Sequence, residues 1–213
     1  MTLAEIQTTQ ATASSNNPAT INIEELRTLC LDCGADDVGF IAIDRPELDI
    51  DREDIKLAFP RTRTLIGFVS RMLPDNIRTP LRSIANVEFH SSGDRVEHIA
   101  RTILHRLAEK GVRGVYPSMG FPMEMDRYPG KIWSVSNKLV AEAAGLGRMG
   151  IHHNIIHPKF GNFVLLGSIF IEAEVTEQSQ PIDFNPSLKC KLCVVACPVG
   201  AIGMNGSFDF GAC

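Results

Sequence analysis

The sequence lacks three features that would each have indicated a class of protein. No apolar run reaches the roughly 18 residues that a membrane-spanning helix needs. Basic residues are not in excess, since 21 Lys and Arg stand against 25 Asp and Glu, and this argues against a DNA-binding protein. The first residues do not show the basic start and apolar stretch of a secretory signal. We therefore expect a cytoplasmic protein that binds neither membranes nor DNA.

Cysteine is scarce over most of the chain and concentrated at its end. Of the six cysteines, Cys30 and Cys33 lie near the start, and the other four lie between residues 190 and 213. Disulfide frameworks are typical of small secreted domains, and nothing here indicates secretion. We therefore expect reduced thiols, and metal binding by the C-terminal group follows from that.

Composition divides the chain into three segments. Residues 1–20 are rich in Thr, Ala, Ser and Asn and predict a disordered tail. Residues 21–180 alternate helical and strand patterns, which favours an α/β or α+β core. Residues 181–213 carry cysteines and glycines but little core-forming material. We expect a bound metal to stabilise the fold of this last segment, because so short a segment cannot fold on apolar burial alone.

Three patterns in the core predict individual elements. Residues 94–110 place their apolar side chains on one face, with Asp94 as the N-cap and Gly111 at the end, which predicts a helix. Residues 163–175 are apolar and β-branched, which predicts a central strand. Residues 71–89 hold two prolines and no clear period, and they are predicted to form a long loop.

The C-terminal cysteines follow the pattern C-x2-C-x3-C-P, from Cys190 through Cys193 and Cys197 to Pro198. This is most of the run C-x2-C-x2-C-x3-C-P with which bacterial ferredoxins bind iron–sulfur clusters. Ser187 occupies the place of the first cysteine. A turn with cysteines at i and i+3 brings two thiolates to one side, as a compact cluster requires. The pattern therefore predicts an iron–sulfur protein that handles electrons.

Zinc binding and idle thiols are the alternatives to a cluster. Zinc prefers a C-x2-C pair matched by a second pair, which this run does not supply. In two-cluster proteins the cysteine before proline binds the other cluster. The first two cysteines would then bind one cluster and the last two a second, each short of ligands, and we expect the chain to be part of a longer polypeptide with another cysteine run. Four thiols are nevertheless enough for one [4Fe-4S] cluster: Cys190, Cys193, Cys197 and Cys213.

A second motif lies between residues 144 and 167. It reads AGLGRMG at 144–150, IHPKFG at 156–161 and LG at 166–167. Together with the cysteine run, these pieces resemble the iron–sulfur, cobalamin-dependent reductases that include epoxyqueuosine reductase and, more distantly, the reductive dehalogenases. The resemblance covers residues 23–213.

The resemblance implies a nitroreductase-like α/β core that holds base-off cobalamin beside a C-terminal ferredoxin-like iron–sulfur segment. It implies that electrons pass from [4Fe-4S] clusters to cobalt, and that the reduced cobalt attacks or reduces the substrate. The three glycines of the motif allow close approach of the backbone to a flat ligand; the alternative is a helix C-cap followed by a tight turn. The expected cofactor-binding residues are Gly145, Gly147, Met149, Gly150, His153 and His157.

The sequence departs from the family pattern at several positions. Arg148 stands where the family has Trp, and residues 151–153 read Ile-His-His where the family has Lys-Asn-Thr. The family's acidic proton donor lies about fourteen residues before Gly145, where this chain has Lys131. Reduction of an epoxide requires a proton source near the breaking C–O bond. The nearest acid, Asp126, is therefore the candidate catalytic residue, provided that its loop folds inward.

Histidines and N-terminal cysteines offer two further candidate sites. His153 and His157 have the i, i+4 spacing of metal ligands but lack the Glu of an H-E-x-x-H motif; an ordinary turn with a core or pocket histidine is the alternative. Cys30 and Cys33 could form a redox dithiol. Because Cys30 lies on the apolar stripe of its helix, a buried structural thiol is favoured.

Motif and resemblance together predict a cytoplasmic iron–sulfur redox protein that transfers electrons through a [4Fe-4S] cluster. We expect a ferredoxin or flavodoxin as the electron donor, and a small molecule or a modified nucleoside as the substrate. The alternative is a non-catalytic corrinoid-binding or electron-carrier module that serves a partner.

Overall fold

Helices cover both faces of one antiparallel sheet in this mixed α and β fold. The computed structural model describes residues 19–118, 134–184, 186–188 and 190–213. The helices are α1 (Ile23–Asp32), α2 (Arg52–Ala58), α3 (Pro74–Arg78), α4 (Arg82–Glu109), α5 (Asn137–Ala143) and α6 (Leu192–Ala196). The strands are β1 (Thr20–Ile21), β2 (Asp37–Ala42), β3 (Thr64–Arg71), β4 (Gly114–Val115), β5 (Arg148–Met149), β6 (Ile155–Ile156), β7 (Val164–Ile171) and β8 (Glu174–Val175).

The central sheet has the strand order β2-β3-β7-β4, and every neighbouring pair is antiparallel. Strand β3 lies between β2 and β7 and is buried along nearly its whole length. Its side chains alternate between the two faces, as the pleat of a strand requires. Ile66 and Phe68 contact one hydrophobic cluster, and Leu65 and Val69 contact the other. The sheet therefore separates two cores.

The two cores are closed by different helices. Helices α1 and α4 bury Cys30 and Ile103 on one face of the sheet. Helices α2 and α5 bury Ile55 and Val140 on the other face. Burial of one such aliphatic side chain is worth about 1.5–3 kcal/mol, so this packing holds α5 and the loop after it in place against the sheet.

Helix α4 is longer than the sequence predicts. It begins at Arg82 instead of residue 94, and α3 occupies part of the predicted loop at 71–89, so the loop prediction is wrong. The first half of α4 leaves Ile84 and Val87 exposed. Because these turns do not pack on the sheet core, they lack the apolar period that marks the second half of the helix.

Other sequence expectations are met more closely. The strand predicted at 163–175 is β7, which ends at Ile171 and is followed by the separate β8. The α+β expectation is confirmed; a nitroreductase-like core and a ferredoxin-like segment stay predictions. The last residue of the segment predicted as a tail, Thr20, belongs to β1 and pairs with Glu174 of the parallel strand β8. Among the described helices, none is long and apolar enough to cross a membrane.

Candidate functional site

A cavity of about 330 Å³ opens where β3 ends and β7 begins. Helix α5 and the β5–β6 hairpin form its other side. Its apolar lining consists of Met72, Phe89, Ile155, Val164, Leu165 and Leu166. Its polar lining consists of Ser136, Asn137, Lys138, Asn154 and Asn162.

Lys138 is the cation among the described lining residues and sits on the first turn of α5. Its Nζ donates a hydrogen bond to the carbonyl oxygen of His153 at 2.6 Å. Partial burial lowers the pKa of Lys138 from its ordinary value, because the protein interior disfavours the charged form. His153 has a φ of 56° and is, among the described residues, the one non-glycine with a positive φ. The chain thus takes a strained turn that points a carbonyl group at the ammonium group.

His152 organises the polar rim of the cavity. Its Nδ1 accepts the backbone N–H of Asn154 at 3.0 Å, and its Nε2 lies 2.8 Å from the side-chain amide of Asn162. Burial lowers the pKa of His152, so the ring is neutral at pH 7. Since Nδ1 accepts, the proton lies on Nε2, and we assign the Asn162 amide so that its oxygen accepts from the ring. The NH2 group of Asn162 is then directed away from His152.

His157, predicted to bind a cofactor, has a structural role in the described residues. The ring is buried, and its Nδ1 accepts the backbone N–H groups of Lys159 and Phe160 at 3.1 and 3.3 Å. Its Nε2 lies 3.0 Å from Asp37 Oδ2. Burial raises the pKa of Asp37, but hydrogen bonds from His157 and from the Val38 N–H outweigh it, and the pKa lies below its ordinary value. Both ring nitrogens are therefore used within the protein.

The three motif glycines permit close approach, but their neighbours are atoms of this chain. Gly145 has a φ of +74°, and a Cβ there would lie 2.3 Å from the carbonyl oxygen of Gln180. At Gly147 a Cβ would lie 2.6 Å from the carbonyl oxygen of Ile156. At Gly150 it would lie 2.9 Å from the ring of His152. A helix C-cap and tight packing within the chain thus account for the glycine at each of the three positions.

The predicted cofactor residues do not line the described cavity. None of Gly145, Gly147, Met149, Gly150, His153 and His157 is among its described lining residues. Their role in cofactor binding stays a prediction. Sequence reasoning missed Lys138, Asn154 and Asn162, because no spacing rule relates a residue on α5 to one residue before β6 and one before β7.

The C-terminal segment surrounds one cysteine with backbone donors. Cys197 Sγ accepts the backbone N–H of Ala201 at 3.3 Å. The pKa of the Cys197 thiol is lowered because the backbone N–H groups of Val199 and Ala201 stabilise the thiolate. Cys190 and Cys213 are exposed. Over the part of the chain that the structure describes, no three His, Cys, Asp or Glu side chains are grouped as metal ligands, so the four cysteines are not brought together.

The cysteine segment packs on His153, the residue whose carbonyl group accepts the hydrogen bond from Lys138. The ring centroid of His153 lies 4.6 Å from that of Phe208 and 5.2 Å from that of Phe210. The same His153 accepts the hydrogen bond from Lys138 at the cavity. One residue therefore contacts both the cysteine segment and the polar end of the cavity.

Two further predictions have different outcomes. Cys30 is fully buried in the core beside α4, and burial raises the pKa of its thiol; the structural interpretation of Cys30 is confirmed. Burial also raises the pKa of Cys33, which disfavours a reactive dithiol. The candidate catalytic Asp126 and the neighbouring Lys131 lie outside the described residues.

Comparisons with known proteins identify relatives. No family model matches the chain. The epoxyqueuosine reductase of Bacillus anthracis is 34% identical over 79 residues, which is 37% of this chain and 20% of that protein. The epoxyqueuosine reductase of Pseudomonas aeruginosa is 28% identical over 154 residues, 67% of this chain and 38% of that protein. The chain thus matches well under half of the length of these relatives.

Solved structures share the fold at low identity. Epoxyqueuosine reductase from Streptococcus thermophilus has a TM-score of 0.57 at 17% identity, covering 87% of this chain and 54% of that one. An epoxyqueuosine reductase with an epoxyqueuosine-modified tRNA stem loop has a TM-score of 0.53 at 20% identity, covering 84% of this chain and 52% of that one. A reductive dehalogenase described as B12-dependent has a TM-score of 0.61 at 16% identity, covering 92% of this chain and 27% of that one. The expected resemblance is confirmed: the chain is related to the epoxyqueuosine reductases and shares its fold with them and with the reductive dehalogenases.

Proposed function

We propose that this chain is an iron–sulfur redox protein, related to cobalamin-dependent epoxyqueuosine reductase, whose cysteine segment serves the cavity beside α5. The observation that carries the proposal is the backbone environment of Cys197. Its sulfur accepts an N–H group at 3.3 Å, and backbone donors lower the pKa of the thiol. Iron–sulfur ligands are thiolates that benefit from such hydrogen bonds.

The ligand type at the C-terminus, the cysteine thiol, fits an iron–sulfur cluster. Thiolates are the ligands that these clusters require. A bound [4Fe-4S] cluster would supply single-electron chemistry. Ser187 is buried in the place of the missing cysteine, and its oxygen is a harder ligand than sulfur. The residues proposed to hold the cluster are Cys190, Cys193, Cys197 and Cys213.

The packing of Phe208 and Phe210 on His153 supports a link between the two parts. Lys138 donates to His153 from the cavity side, so a ligand in the cavity would lie close to the cysteine segment. A redox protein needs its electron-carrying group close to its ligand. The contact through His153 supports this closeness whatever the role of the motif glycines.

The proposal includes two features that rest on the relatives. They are base-off cobalamin as a cofactor and a small molecule or a modified nucleoside as the substrate. One solved relative is described as B12-dependent and another holds a modified tRNA stem loop. Gln180 and Ile156 occupy the positions that a Cβ would take at Gly145 and Gly147, so packing within the chain accounts for these two glycines, and their role in holding a corrin ring is a proposal. A ferredoxin or flavodoxin remains the proposed electron donor, and the cytoplasm the proposed location.

The test is anaerobic reconstitution of the full chain with ferrous iron and sulfide. We expect a brown protein whose broad visible band bleaches with dithionite, and a Cys197→Ala variant that retains little iron. Cys33→Ala is the matched control, because this thiol lies in α1's C-terminal turn and should leave the iron content unchanged. A colourless protein with stoichiometric zinc, or a Cys197→Ala variant with the full iron content, would contradict the proposal.

Addition of hydroxocobalamin to the reconstituted protein separates the two functional alternatives. A shift to the base-off spectrum supports the cobalamin-dependent interpretation. If the cluster forms and the cobalamin spectrum does not change, the electron-carrier interpretation is favoured and the cobalamin part of the proposal fails.

A further inference from the structure

Three exposed cations meet on two phenylalanine rings, where β3 ends and the loop between β6 and β7 turns. The guanidinium carbon of Arg71 lies 5.7 Å from the ring centroid of Phe160, and Lys159 Nζ lies 5.3 Å from the same centroid. The guanidinium carbon of Arg78 lies 4.6 Å from the ring centroid of Phe163. The face of an aromatic ring attracts a cation, so the two rings gather three positive charges. We call these three cations the basic patch.

The neighbouring acids do not neutralise the basic patch. Asp36 Oδ2 accepts the backbone N–H of Arg71 at 2.8 Å, but its ion pair, at 3.0 Å, is with Arg95 Nη2. Asp75 is exposed on the first turn of α3, and no ion pair among the described residues joins it to Arg78. In the part of the chain that the structure describes, no carboxylate forms an ion pair with any patch cation. The patch is thus a local positive surface on a chain of net charge −4.

The composition of this surface favours an acidic protein over a nucleic acid as its partner. Nucleic acids are bound through many phosphate contacts along an extended basic surface, whereas Asp36 and Asp75 interrupt this one. Protein interfaces are enriched in arginine and aromatic residues. Leu73 is 54% exposed and lies two residues after Arg71, so it adds an apolar contact. Arginine can contact a ring and still donate N–H groups to a carboxylate, because those groups lie in the guanidinium plane.

The loop that carries the basic patch also contacts the hairpin on which the cysteine segment packs. Asn162 belongs to this loop, and its side-chain amide lies 2.8 Å from His152 Nε2. The next residue along the chain, His153, has its ring centroid 4.6 Å from that of Phe208 in the cysteine segment. A protein bound to the patch would therefore lie close to the segment that carries the cysteines.

We propose that the basic patch docks a carboxylate-rich face of the protein that donates electrons to this chain. The identity of the partner as an electron donor rests on the proposed redox function, whereas the docking itself requires no cluster. Opposite charges on two surfaces steer their encounter and raise the association rate constant. The two arginines add charge-assisted hydrogen bonds to carboxylates once the proteins are in contact.

The test measures the association of the full chain, without iron, with a flavodoxin of acidic surface by stopped-flow fluorescence. We expect the triple variant Arg71→Gln, Arg78→Gln, Lys159→Gln to associate at least about tenfold more slowly at low ionic strength. Association of the parent chain should slow as salt is added, because salt screens charges on exposed surfaces. Arg71→Lys with Arg78→Lys keeps the charge but loses the planar donors, and it should dissociate faster with a nearly unchanged association rate constant.

The matched control removes the same charge from the other end of α4, through Arg101→Gln, Arg106→Gln and Lys110→Gln, all at exposed positions. This control should associate nearly as the parent chain does. No association of the parent chain, association independent of salt, or equal slowing in the two triple variants would overturn the proposal.

An RNA hairpin as a second probe distinguishes the two classes of partner. If the patch variant lost affinity for the hairpin and kept its association with flavodoxin, the patch would serve a nucleic acid and the proposal would fail. The salt dependence of the parent chain tests the docking independently of the stability of any variant. Failure of cluster assembly would leave these measurements unchanged, so it can be told apart from a failure of docking.

Discussion

His157 and Asp37 form a hydrogen bond of 3.0 Å that ties the loop before β7 to the first residue of β2. The imidazole is 4% exposed, whereas the Asp37 side chain is 39% exposed. The two remaining acceptor contacts of the ring, from Lys159 and Phe160, fix its tautomer with the proton on Nε2. The loop that follows β6 is thereby held against the sheet edge.

Replacement of Asp37 by Ala should destabilise the protein. The buried Nε2–H of His157 would lose its acceptor, and we expect the free energy of unfolding to fall by about 1–2 kcal/mol, because water can reach part of the vacated site. Asp37→Asn keeps an acceptor oxygen and should lose less. Urea denaturation of the three proteins measures this, and equal stability of Asp37→Ala and the parent would show that the hydrogen bond contributes nothing.

The same pair makes stability depend on pH in the acidic range. The pKa of Asp37 is lower in the folded protein than its ordinary value. Its contribution is therefore fully present above the ordinary carboxyl pKa and is lost as the pH falls through the lower, folded value. Between pH 6 and about pH 3, the free energy of unfolding should fall less for Asp37→Asn than for the parent chain. Parallel declines would contradict the assignment.

Gly145→Ala should be far more damaging than Gly161→Ala. Both glycines have positive φ, +74° and +61°, which costs an alanine about 1–2 kcal/mol. Only at Gly145 would the new Cβ also meet the carbonyl oxygen of Gln180; nothing lies within 4 Å of a Cβ at Gly161. We expect a further loss of about 1–3 kcal/mol at Gly145 from this overlap. Thermal unfolding would reveal it, and similar melting temperatures for the two variants would exclude the close contact.

The apo protein's cysteines should be alkylated in a defined order. Cys197 should react with iodoacetamide at neutral pH faster than Cys33, since backbone donors lower the pKa of Cys197 and burial raises that of Cys33. Cys30 is fully buried with a raised pKa and should react only on unfolding. Mass spectrometry of peptides at timed intervals gives the order, with urea-unfolded protein as the control. Early modification of Cys30 would contradict its burial.

Ser187→Cys should strengthen cluster binding. Ser187 is 7% exposed and takes the place of the first cysteine of the run, and a thiolate binds iron clusters better than a hydroxyl does. We expect a higher iron and sulfide content after anaerobic reconstitution and slower bleaching in air. Ser207→Cys adds a thiol at an exposed position of the same segment and should change neither value. Equal gains in both variants would indicate non-specific iron binding.

Local patterns predicted what local forces control. Asn is among the residues preferred before a helix, and Asn22 caps α1, since its side chain accepts the N–H groups of Glu24 and Glu25 at 2.9 and 3.2 Å. The apolar period that ends at Gly111 correctly placed the second half of α4. The first half of α4 was missed, because its exposed turns carry no apolar stripe. Pro80, two residues before the helix, also indicated a loop.

Long-range contacts decided the candidate site. Lys138 meets His153 across 15 positions of sequence, and His157 meets Asp37 across 120. Motif reasoning selected glycines and histidines between residues 145 and 157, and their role in cofactor binding stays a prediction; their observed contacts are with atoms of the same chain. The cavity is instead lined by residues from separate elements that only the sheet brings together.

The sequence by itself determined the chemistry: reduced thiols in a ferredoxin-like run, a mixed α and β core, and a resemblance to cobalamin-dependent reductases. Residue type and spacing suffice for these, because thiolate softness and side-chain period are local properties. Only the tertiary structure decided which groups line the cavity. The position of Lys138 at an apolar cavity and the contact of Phe208 with His153 arise when the β7 edge, α5 and the C-terminal segment pack together, and no spacing along the chain encodes that packing.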